Sequence, residues 1–285
     1  ISPNTQYYYN IIILYCTEYG RVVASISDSR IVDGYDAKIG EFPHIVSLQS
    51  RPWDSRILKH FCGGSIIRAK WILTAGHCVG LLPNPDVFVV KAGKYKINMK
   101  EITEQVGTVE QSFVHKLYRG YIFIYKYRGT APYDIALLKL HKAFKFNQYV
   151  DFIDIPHPNA KTFGNVTLAG WGSISNSQSP EYPSNLQTAR LPILDFNTCN
   201  DTIVKTLHRS LLHSTNICTG SPVNEIAPCS GDSGSPLMTI NKDYSQLVGI
   251  VSWGMIPCGM PDIPSIYTRV SAFVEWIEET ISKNS

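Results

Sequence analysis

The chain has 285 residues, 44% of them hydrophobic and 17% charged, an ordinary globular composition with ample material for a packed core. Length alone allows one or two domains. A net charge of +3 is too small to argue for a nucleic-acid or acidic-membrane partner, and seven cysteines point to an oxidising compartment.

The first element in chain order is a processing segment. Residues 1–24 read as a signal segment. Tyr7 to Cys16 is mostly apolar around Ile11-Ile12-Ile13-Leu14. That run is too short to span a membrane but suits a signal h-region. Val22-Val23-Ala24 supplies small residues for cleavage, and Cys16 would leave with the segment. An apolar pro-segment packed on the body is the competing reading.

Short strands follow. His44–Leu48, Val87–Val90, Asn165–Ala169 and Leu247–Val251 are rich in β-branched and aromatic residues, and Gly and Pro punctuate the stretches between them. The end differs. Ser271 is placed to cap a helix, and Phe273, Val274, Ile277 and Ile281 then recur at helical spacing. The residues alone predict an all-β chain with a C-terminal helix over 271–283. Asn165-Val166-Thr167 and Asn200-Asp201-Thr202 are glycosylation sequons, which matter only in a secreted protein.

Three segments carry chemistry: Thr74-Ala75-Gly76-His77-Cys78, Tyr133-Asp134-Ile135-Ala136 and Gly231-Asp232-Ser233-Gly234-Ser235-Pro236. Singly, each has a plain reading: a packed histidine or half of a metal site, an aspartate that starts a strand, a Gly/Ser/Asp turn. Together, in the order His, Asp, Ser, they follow one of the chain orders in which a hydrolytic triad is built. A serine hydroxyl needs an imidazole to take its proton, and the imidazole needs a buried carboxylate to hold its tautomer. The backbone N–H groups of Gly231 and Ser233 can converge as an oxyanion hole. No C-x-x-C or H-x-x-x-H spacing argues for a metal.

From Ile31 to the C-terminus the sequence resembles the chymotrypsin-type serine endopeptidases. The matching segments are those above together with Ile31-Val32-Asp33-Gly34, Phe61-Cys62-Gly63-Gly64-Ser65, Gly170-Trp171-Gly172, Ser252-Trp253-Gly254 and Tyr267-Thr268-Arg269-Val270. Two positions depart from the family: Gly76 stands where alanine is usual, and Ser235 where glycine is usual. The GDSGSP variant and the cysteine pattern resemble invertebrate enzymes.

The resemblance implies two six-stranded antiparallel Greek-key barrels packed together, with the catalytic groups in the cleft between them. It divides the chain into a propeptide at 25–30 and a peptidase unit at 31–285. The first barrel covers about 31–145, the second about 146–270, and the helix 271–283. Six cysteines allow many pairings; the resemblance selects Cys62–Cys78, Cys199–Cys218 and Cys229–Cys258. It makes Ser233 the nucleophile, His77 the general acid/base, Asp134 its orienter and Ser252 a hydrogen-bond partner of Asp134. It also makes Arg30 an activation site. Cutting there frees the Ile31 amine, which in the family pairs with the aspartate matching Asp232.

The resemblance places Ala227 at the base of the primary pocket, beside Ser252, Trp253, Gly254 and Ser265. Alanine gives a basic substrate no partner, so cleavage after aromatic or other apolar residues is expected, with an elastase-like preference as the alternative. Asp262 lies in a Pro-bracketed loop, and a shift of that loop would bring its carboxylate into the pocket and favour basic residues. Two long loops, Gln49–His60 and Arg119–Pro132, would border the cleft. Lys94 stands where a calcium loop carries a glutamate, with Glu101 and Glu104 remaining. No metal or cofactor is therefore expected. Expected partners are protein or peptide substrates, protein inhibitors and an arginine-specific activating protease, with neither nucleic acid nor membrane. A non-catalytic homologue acting as a binding protein is the reading from another class.

Overall fold

The computed structural model describes residues 34–51, 57–80, 88–119, 132–175, 180–220, 226–241, 244–254, 257–260 and 262–285. The signal segment, the propeptide with Arg30, and Ile31 lie outside these. So do most of the Arg119–Pro132 loop and the middle of the Gln49–His60 loop.

Six strands form a closed antiparallel barrel: β2 (Ile45–Ser50), β3 (Lys59–Arg68), β4 (Trp71–Thr74), β5 (Phe88–Ala92), β6 (Gln105–Val114) and β7 (Ala136–Leu140), in the order β2-β3-β4-β7-β6-β5. A second ring is made by β8 (Asn165–Gly170), β9 (Gln187–Leu194), β10 (Asn216–Thr219), β11 (Pro236–Ile240), β12 (Ser245–Trp253) and β13 (Ser265–Arg269). It runs β9-β10-β13-β12-β11-β8 and closes through β8–β9. The two-residue strand β1 (Tyr35–Asp36) pairs with β9 on its outside.

The strands form where alternating apolar residues can fill a barrel interior. Ile66, Ile72, Leu73, Leu137 and Leu138 are fully buried in the first barrel, Leu168, Leu237 and Tyr267 in the second. Burying one such aliphatic side chain contributes about 1.5–3 kcal/mol. Truncating Ile72, at 0% exposure, to alanine would cost about 2–5 kcal/mol. The chain crosses between barrels at Ile153–Asp154. The Ile153 N–H donates to Ile66 O (2.9 Å) on one side, and Asp154 O accepts from Leu247 N–H (2.8 Å) on the other.

Among the described residues, three α-helices complete the fold: α1 (Gly76–Gly80), α2 (Phe196–Leu207) and α3 (Val274–Lys283). The residue pattern does not anticipate α2. Its start signal is Asp195, whose Oδ1 accepts the Asn197 and Thr198 N–H groups at 3.0 Å. At its end His208 adopts the left-handed conformation (φ 56°). The expected cap at Ser271 is not one. Val270–Ala272 forms a 3₁₀ turn, α3 begins after Phe273 without a side-chain cap, and the Ser271 hydroxyl donates to Ala160 O at 2.8 Å. The cysteines pair as Cys62–Cys78, Cys199–Cys218 and Cys229–Cys258.

Candidate active site

The pairing of β4 with β7, in register Thr74↔Ala136, brings two distant segments together. Just past Thr74 the chain turns into α1, which carries His77; just before Ala136 lies Asp134. The His77 backbone N–H donates to Asp134 Oδ1 and its Nδ1 meets Oδ2, both at 2.8 Å. A carboxylate only accepts, so the proton sits on Nδ1 and the free base nitrogen is Nε2. Asp134 is 1% exposed. It also accepts from Ser252 Oγ (2.6 Å) on β12, while its backbone carbonyl accepts from Thr268 Oγ1 (2.7 Å) on β13. Burial by itself pulls the His77 pKa down; the charge of Asp134 and its hydrogen bond outweigh burial and raise it above 6.5. Tyr133, one residue before the acid, is held at φ 65°. Its ring stacks on His115 at 5.2 Å and meets Phe273 edge-on at 6.0 Å. That packing holds a backbone conformation that L side chains rarely adopt.

Ser233 lies in a turn built on two positive-φ glycines, Gly231 (97°) and Gly234 (80°). A Cβ on Gly234 would sit 2.3 Å from Thr74 Oγ1 and 2.5 Å from Gly63 O. Only glycine lets the turn lie against the end of β4, next to the segment that carries His77. The turn is pinned by Gly63 N–H to Ser233 O (2.8 Å), Gly234 N–H to Val251 O (2.9 Å) and Ser235 N–H to Asp232 O (2.9 Å). Among the described residues, the N–H groups of Gly231 and Ser233 donate to nothing else in the chain.

Sequence reasoning missed two residues that frame this turn. His60 Nε2–H donates to Gly231 O at 2.9 Å, and its Nδ1 accepts from Ser47 Oγ at 2.8 Å. Burial lowers its pKa to about 4, against the raising effect of the Gly231 bond, so it stays neutral. The Tyr182 ring packs against Gly231: a Cβ there would lie 3.1 Å from its Cε1. Neither residue sits in a recognisable catalytic motif, and only the folded contact reveals them.

Asp232 is fully buried. Its Oδ1 accepts from Gly172 N–H (2.7 Å) and its Oδ2 from Cys229 N–H (2.9 Å). Burial pushes its pKa up to about 6 despite those two bonds. Among the described residues no cation pairs with it.

Ala227 and Ser265 are buried at 6% exposure each, and Ser252 at 7%. Trp253 is half-buried with its indole Nε1–H unpartnered among the described residues, and open space surrounds Gly254. Asp262 is exposed, at φ 60°. The sequon residue Asn165 is exposed; Asn200 accepts from Ser210 Oγ at 2.6 Å.

The ligand atoms of Cys62, His77 and Cys78 lie within 4.8 Å of one another, but both sulfurs are spent in the Cys62–Cys78 disulfide. In the Lys94 loop the ammonium, fully buried, bonds Met99 O, Glu104 Oε2 (2.9 Å) and Glu101 Oε2 (3.1 Å). A lysine nitrogen thus stands among the oxygens that a divalent cation would need.

The family description "Trypsin" matches residues 31–277. This chain belongs to the trypsin family. It is similar to Lectizyme of Glossina austeni (35% identical, over 88% of this chain and 86% of that protein). It is also similar to Trypsin-1 of Astacus astacus (35%, 87% and 98%) and coagulation factor IX of Cavia porcellus (37%, 87% and 80%). Membership implies a serine endopeptidase that acts on protein substrates.

Proposed function

We propose that the chain is the secreted precursor of a serine endopeptidase that hydrolyses peptide bonds through Ser233, His77 and Asp134 and an acyl-enzyme. The observation that carries this reading is the imidazole clamped by Asp134, with Nδ1 protonated and Nε2 left as the base. Ser233 attacks the scissile carbonyl as His77 takes its proton. The Gly231 and Ser233 N–H groups, free of other acceptors among the described residues, donate to the oxyanion. His77 then protonates the leaving amine, and water repeats the cycle in reverse.

Cleavage after Arg30 frees the Ile31 ammonium to pair with Asp232. The absence of any other cation for Asp232 among the described residues supports this step, since a buried lone carboxylate is costly. Ala227 makes the pocket base uncharged, and exposed Asp262 does not alter it, so cleavage follows apolar or aromatic residues.

The test is labelling by a fluorophosphonate after tryptic cutting. The cut chain labels fast, the Arg30→Gln chain labels only slowly, the Ser233→Ala chain does not label at all, and amide substrates ending in Phe or Leu outrun one ending in Arg. An unlabelled cut chain removes the enzyme reading in favour of a binding protein. A dominant Arg rate removes the specificity reading alone.

A further inference from the structure

The Ser235 hydroxyl is fully buried and has no hydrogen-bond partner among the described residues. Such an orphan is costly and calls for a reason. Its surroundings are built. A Cβ on Gly63 would lie 2.1 Å from Ser235 Oγ. A Cβ on Gly170 would lie 2.1 Å from Asp232 Oδ1 and 3.2 Å from Ser235 Oγ, and one on Gly172 would lie 2.2 Å from Asp232 Cγ. Three glycines thus clear one slot, and the side chains of Asp232 and Ser235 fill it. The Ser235 N–H bond to Asp232 O (2.9 Å) fixes the two residues relative to each other. Each carboxylate oxygen receives one backbone N–H and keeps a lone pair.

We propose that Ser235 is a positioning residue for Asp232: rotation about its χ1 turns the hydroxyl to donate to Oδ1, a third hydrogen bond that holds the carboxylate on its Gly172–Cys229 side. The inference rests on the activation reading above. A charge-assisted bond from a hydroxyl favours the ionised carboxylate. The titratable groups facing that carboxylate are the phenols of Tyr182 and Tyr267, both of which feel its charge; His60 reaches only the Gly231 carbonyl. The hydroxyl is present before the chain is cut, whereas the ammonium arrives after. Ser235 therefore biases the uncut precursor toward the active arrangement and becomes redundant once the amine is in place.

The test compares Ser235→Ala and Ser235→Gly in two settings: an uncut Arg30→Gln chain, and the cleavable chain after cutting. In the uncut chain, fluorophosphonate labelling slows by about tenfold in both variants. In the cut chain kcat/KM stays within about twofold. The variant-to-parent labelling ratio, in which the titration of His77 cancels, falls further toward acid pH, because losing a donor raises the Asp232 pKa from about 6. Ser235→Ala lowers the Tm of the uncut chain, since it removes a bonded hydroxyl. Unchanged uncut labelling, equal losses in cut and uncut chains, or a Tm raised by Ser235→Ala overturns the proposal. A cut parent chain that does not label at all overturns the peptidase reading itself, a separate outcome.

Discussion

Lys94 and Asp232 are both buried charges, and they are compensated in opposite ways. Lys94 has two carboxylates and a carbonyl around its ammonium, and Lys91 adds a second cation to Glu104 at 3.2 Å. Among the described residues, Asp232 is met only by backbone dipoles. The pKa shifts record the contrast. At Glu104 burial raises the pKa, yet the lysine bonds and charges win and lower it; at Asp232 burial wins and raises it. A closed charge network holds a loop in one state. An open one leaves a place for a charge delivered later, which is what a switch requires.

The largest expected effect breaks the open member. Asp232→Asn in the cut chain lowers kcat/KM by about 10²–10³, the scale of a lost oxyanion donor. An active variant would show that the turn is held without that carboxylate. Breaking the closed member acts on stability instead. Lys94→Met leaves Glu104 with Lys91 and Glu101 with the Tyr95 and Lys96 backbone N–H groups, and costs about 1–3 kcal/mol in urea unfolding, with kcat/KM unchanged.

The two members also part with pH. Glu104, lowered in the fold, contributes stability above its ordinary pKa and loses it as pH falls through the folded value. In the proposed cut form, an Ile31 amine paired with Asp232 would contribute below its ordinary range of about 7.7–8.0 and be lost as pH climbs through its folded value. Activity of the cut chain therefore declines on the alkaline side, whereas the Lys94→Met penalty on unfolding persists there and shrinks only toward acid pH. The smallest effect is a chelator: it leaves Tm unchanged, whereas Lys94→Glu makes Tm rise with added calcium.

Fold class was legible because the family segments recur in order and the strands are short and β-branched. The barrel strands centre where Ile45, Phe88, Asn165 and Leu247 led one to expect. Helix α2 was not legible. Its apolar face is short, and its start signal is one aspartate among many polar residues. Ser271 misled because a serine before a helical repeat reads as a cap, while here a tertiary bond to Ala160 O and a local one from Arg269 claim its hydroxyl. At the site, types and order of residues were readable, but bridging contacts were not. His60 and Tyr182 meet Gly231 only through folding, and the orphan state of the Ser235 hydroxyl depends on glycines far away in the chain.

The crossing at Ile153–Asp154 has a mechanical consequence. The same two residues are stitched into both barrels, and Ser252 and Thr268 on the second reach over to Asp134 beside the first. The halves are thereby welded rather than hinged. Expressing either half by itself would leave its polar seam bare to water.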